Sequence, residues 1–131
     1  MNALVSNFVS PKIMYFGLGF VITVLSGILL SHAGRPLNSL IFTIHKLVAV
    51  GTIILAAVVI RDLYRTVDVQ VLYPVLIMVV ALIFLALLVS GALLSFEKLA
   101  AQVILRVHQL APLLAGGFAA LTIYLLASSK S

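Results

Sequence analysis

The chain has 131 residues, 64% of them hydrophobic and 8% charged, with no cysteine and a net charge of +5. A soluble domain of this size carries roughly 25% charged residues to cover its surface, so a water-soluble globule is excluded. The missing cysteines exclude a disulfide framework, a thiolate metal site and a thioether link to a cofactor. The eight Lys and Arg residues stand singly at the ends of apolar blocks, which suits phospholipid headgroups and argues against nucleic-acid binding.

The first apolar block runs from about Ile13 to about Ser31, after the turn signal Ser10-Pro11-Lys12. It is long enough to span a bilayer, lacks a strong basic leader and leads straight into a second span, so it reads as a retained helix and not as a signal peptide. Gly34-Arg35-Pro36 makes a turn, Asn38 or Ser39 supplies an N-cap, and a second helix runs from about Leu40 to Tyr64. Arg61, Asp62 and Arg65 mark its end, and Thr66 to Gln70 form the next turn. A third helix covers about Leu72 to Leu94 with Pro74 in its first turn, where proline costs little. Ser95 reads as the N-cap of a fourth helix over about residues 97–126, followed by a short polar tail. Each block has close to the roughly 20 apolar residues that a bilayer core requires, and strands are excluded because unpaired backbone cannot face lipid. The expected fold is all-α: a single four-helix transmembrane domain.

The two halves repeat. Val24-Leu25-Ser26-Gly27-Ile28-Leu29-Leu30-Ser31 aligns with Leu88-Val89-Ser90-Gly91-Ala92-Leu93-Leu94-Ser95. With one residue of slippage, His45 falls on His108 and Pro11 on Pro74. Each half is then a helical hairpin, and the two are related by a pseudo-twofold axis along the membrane normal.

The repeat gives the histidines their meaning. His45 lies about two turns into the second helix. The partly polar stretch Phe96 to Gln102, together with Arg106, places the membrane edge near Gln102, so His108 lies equally deep. An ionisable residue within a span is costly and commonly functional. A matched pair with no carboxylate beside it points to a shared metal centre, because neutral imidazole is a common iron ligand. A structural reading also exists, in which each ring bonds a carbonyl or a serine and joins helices.

Small residues follow each histidine: Val48, Ala49, Thr52 and Ala56 after His45, and Ala111, Pro112, Ala115 and Ala119 after His108. With Gly27 and Gly91 on the partner helices they would leave space for a planar macrocycle. Pro112 removes the backbone donor of the His108 carbonyl and predicts a kink there. Lys46 and Arg106, on the same surface as Arg35 and Lys98, suit either carboxylates of a cofactor or lipid headgroups.

His45 and His108, with Gly27 and Gly91, resemble the four-helix membrane cytochromes b, a broad group of quinol-linked bacterial cytochromes and haem-bearing dehydrogenase subunits. The resemblance covers the whole hairpin-pair layout through short motifs. It implies one haem b held by His45 and His108, with Lys46 and Arg106 as further cofactor contacts. It also implies electron transfer and no bond-making, a quinone and a redox partner or complex subunit, and a prokaryotic cell membrane. The pattern departs from members with two haems, because the opposite surface offers no histidine; His32 reads as a solvated loop residue on the haem side. Competing classes are a structural or assembly subunit, a small transporter and a bare metal site of His32, His45 and His108. The transporter lacks an intramembrane carboxylate, since Asp62, Asp68 and Glu97 lie at helix ends or in turns. The bare site lacks a carboxylate or thiol. Lys12, Arg61, Arg65 and Lys130 on one surface balance Arg35, Lys46, Lys98 and Arg106 on the other, so charge sets no orientation. Self-association is left open.

Overall fold

A computed structural model describes Ser6 and residues 10–68, 71–96 and 102–129. Four helices carry the fold: α1 (Pro11–Ala33), α2 (Ser39–Tyr64), α3 (Leu72–Leu94) and α4 (Gln102–Ser128). All four are long and apolar enough to cross a membrane, so this is a multi-pass integral membrane protein. Glu97, Lys98, Gln70 and Lys130 lie outside the described residues, as does the stretch 97–101 where the sequence places the start of the fourth helix.

The boundaries follow local chemistry. Pro11 opens α1, where its missing N–H costs nothing. Gly34 closes it at a φ of 70°, a conformation that disfavours a side chain. Asn38 caps α2, its Oδ1 accepting from the N–H groups of Leu40 and Ile41 at 3.1 Å each. Ser95 departs from its expected role as an N-cap. It ends α3, its N–H bonding back to the Gly91 and Ala92 carbonyls and its hydroxyl to Gly91 O at 2.9 Å. Serine is found at both kinds of helix end, and only the chain path distinguishes them.

α1 packs along α2 and α3 along α4, giving two hairpins; between the hairpins α2 meets α4 most closely. Lys12 bridges to Asp62 at 2.5 Å at the surface bearing the termini. On that side Phe16, Ala56, Val59, Ile60, Leu63, Tyr73, Val80, Ala119, Ile123 and Leu126 form one core cluster. Toward the opposite surface, which carries the α1–α2 loop, the buried residues are Ser26, Thr52, Ser90, Ala111 and Ala115.

Candidate functional site

His45 is the seventh residue of α2, about 9 Å from its Ser39 start, and His108 lies on α4. The two hairpins bring these rings together across the α2–α4 contact, with ring centres 6.3 Å apart and planes at 77°. Both residues are half-buried.

Each imidazole is held by the helix that precedes its own. His45 Nδ1 lies 3.0 Å from Ser26 Oγ and 3.1 Å from the Thr23 carbonyl. A carbonyl only accepts, so Nδ1 carries the proton. Ser26 Oγ donates to that same carbonyl at 3.0 Å and accepts from the ring. The second half repeats the circuit: Ser90 Oγ donates to Leu87 O at 3.2 Å, which leaves it to accept from His108 Nδ1 at 2.8 Å. In both rings Nε2 therefore keeps its lone pair, and among the described residues it meets no hydrogen-bond donor. A ring proton on Nδ1 directed to an oxygen, with a bare Nε2, is the arrangement that metal-bound histidines adopt.

The glycines act on the imidazoles. A Cβ at Gly27 would lie 3.2 Å from His45 Cε1, and one at Gly91 would lie 3.1 Å from His108 Cε1. The sequence suggests that these glycines border the edge of a macrocycle; what each one faces is the histidine ring of its own hairpin. Their Ser-Gly dipeptides thus do two things in consecutive residues, supplying an acceptor and clearing room for the ring. Ser26 and Ser90 are the site residues that the sequence pattern alone does not single out. The signal for them is the serine of the repeated Ser-Gly preceding each histidine.

The remaining site candidates lie further out. Lys46 is exposed, its ammonium 4.3 Å above the Phe42 ring, and Arg106 is exposed on α4. His32 sits in the last turn of α1 and not in the loop, and is exposed. Arg35 donates to Leu94 O at 3.0 Å and Gln109 donates to Ser31 at 3.1 Å, so two bonds link the hairpins at the histidine surface. α4 continues through Pro112 as one helix. Among the described residues no three metal-binding side chains come together, so His32 does not join the other two histidines.

No family model, curated protein or solved structure matches this chain. The reading of the site therefore rests on its geometry.

Proposed function

We propose that the protein is a membrane-embedded b-type cytochrome, in which His45 and His108 hold one haem and single electrons pass between a quinol or quinone and a partner protein. The observation that carries this reading is the 6.3 Å between ring centres. A metal–imidazole bond is about 2.0–2.1 Å, and the ligating nitrogen lies about 1.1 Å from the ring centre, so rings at this separation are within reach of one shared metal.

The donor set fits haem iron better than a bare ion. Two neutral nitrogens make an incomplete shell for a free divalent cation, whereas a haem supplies the other four ligands itself. At the depth of the histidines the buried residues are serine and alanine, small side chains that suit a neighbouring flat ring. If bound, a haem held by His45 and His108 would supply a one-electron couple. The chain does the rest. Nδ1–H bonds to Ser26, Thr23 O and Ser90 fix the tautomer and raise the basicity of the ligating nitrogens. The apolar helices exclude water. Lys46 and Arg106 would hold carboxylates at the membrane edge.

The test is a reduced-minus-oxidised visible spectrum of the protein purified in detergent from haem-replete cells. A sharp α band and a shifted Soret peak at one haem per chain are expected, and His32→Ala should leave them unchanged. A colourless protein overturns the reading. One observation favours a structural or assembly role in that event: the Ser26–His45 and Ser90–His108 bonds already tie α1 to α2 and α3 to α4 without any cofactor.

A further inference from the structure

A groove of about 750 Å³ runs between α2 and α3, lined by apolar side chains that include Ile53, Ala57, Ile77, Ala81 and Phe84. Its lining reaches from Pro74 to Leu88, about 21 Å along α3. That is long enough for one extended acyl chain. At the end nearest the termini the lining includes Arg61 and Tyr64.

The repeat shows why this seam is open. Position 116 on α4 answers to position 53 on α2, and Phe20 on α1 answers to Phe84 on α3. In the α1–α4 seam the Phe20 ring lies in the notch left by Gly116, so close that a Cβ there would fall 2.6 Å from Phe20 Cζ. In the α2–α3 seam Ile53 has a branched side chain where Gly116 has none, and Phe84 lines the groove. The same departure from the repeat supplies the charge. Arg61 and Tyr64 stand where the other seam has Tyr124 and Ala127. Among the described residues the ion pair at this surface is Lys12–Asp62, which leaves the Arg61 guanidinium without a carboxylate partner.

We propose that this groove binds one anionic phospholipid, with an acyl chain along Ile53, Ala81 and Phe84 and its phosphate on Arg61 and Tyr64. A guanidinium at the headgroup level binds phosphate through paired N–H donors, and the apolar wall accounts for the tail. The site lies away from the histidines and does not depend on the cofactor reading.

Native mass spectrometry of the full chain, offered equimolar phosphatidylglycerol and phosphatidylcholine, tests it. One phosphatidylglycerol per chain should be retained with about fivefold preference, the order expected of one cation near an anionic headgroup. Arg61→Gln should abolish the preference, and Arg35→Gln at the opposite surface should leave it unchanged. Ala81→Phe should expel lipids of both kinds; circular dichroism establishes that it folds, and if it does not, Arg61→Gln decides alone. Equal retention of the two lipids by the unaltered chain overturns the proposal. So does a preference that survives Arg61→Gln, or one-for-one displacement by an equal concentration of a prenylated quinone.

Discussion

The half of the bundle nearest the termini and the half nearest the histidines are made from the same four helices, yet they are packed differently. In the first, Leu126, Thr122, Ala119 and Ala56 are fully enclosed, and Phe16, Tyr73 and Val80 close around them. In the second, the buried side chains are small (Ser26, Ser90, Thr52, Ala111 and Ala115), and Leu40 and Leu47 stand about 70% exposed. Lipid gives apolar side chains no reason to leave the helix surface, so association within a bilayer relies on shape and on hydrogen bonds. The terminal half associates by shape. The histidine half associates by Ser–His bonds, by Gln109–Ser31 and by Arg35–Leu94 O. One bundle therefore holds an end packed by apolar side chains and an end joined by polar contacts.

The largest effect belongs to the histidines. His45→Ala or His108→Ala should abolish the α band and haem stoichiometry, while the packed half keeps helix content near that of the unaltered protein by circular dichroism. Retention of full haem by either variant breaks the comparison, because the polar end would then have no ligand role. Next comes the packed half itself. Leu126→Ala removes a fully buried side chain and should cost about 2–4 kcal/mol of stability in a denaturing-detergent titration, chiefly as lost packing contacts. Leu47→Ala, on the exposed face of the histidine half, should fall within about 0.5 kcal/mol of the unaltered chain. Equal losses would show that the two ends are not packed differently after all.

The packed half is legible in the sequence only as a fold. Four apolar blocks, the Pro11 and Pro74 starts and the Asn38 cap define the helices within a few residues, because each rests on local chemistry. The core cannot be read the same way. In a membrane protein the exposed and buried faces are equally apolar, so nothing marks Ile123 as enclosed and Leu121 as facing lipid. The histidine half reverses this. Its residues are polar within an apolar context, and the repeat alone is enough to pair them. What the repeat cannot supply is the partner of each ring. Ser26 and Ser90 align as part of a motif, but only the helix crossing turns their hydroxyls toward Nδ1. Ser95, a serine of the same repeat, reads as a cap of the next helix for the same reason, since sequence gives its residue type and not the direction of the chain beyond it.

A smaller effect is expected from Gly91→Ala. The added methyl would stand 3.1 Å from His108 Cε1, so the ring must shift by a few tenths of an ångström. Haem should remain, with about tenfold weaker retention and an altered low-spin electron paramagnetic resonance signal, since that signal follows the orientation of the axial imidazole planes. Gly117→Ala, on the same bundle but with open space around it, should change neither. If both substitutions are silent, the histidine ring is not held against the glycine.

The smallest effect belongs to the serine behind each imidazole. Ser90→Ala removes the acceptor 2.8 Å from His108 Nδ1 and Ser26→Ala the one 3.0 Å from His45 Nδ1, while the Leu87 and Thr23 carbonyls remain beside the two rings. A hydrogen bond from Nδ1–H makes the ligating nitrogen more basic, which favours the oxidised metal. Losing it should raise the midpoint potential. A neutral hydrogen bond contributes about 0.5–1.5 kcal/mol, which for a one-electron couple corresponds to roughly 20–60 mV. Ser90→Ala and Ser26→Ala should each stay near the lower end of that range, as read by redox titration of the α band, because a carbonyl remains beside each ring. A fall in either would reverse the direction of the bond assigned to Nδ1.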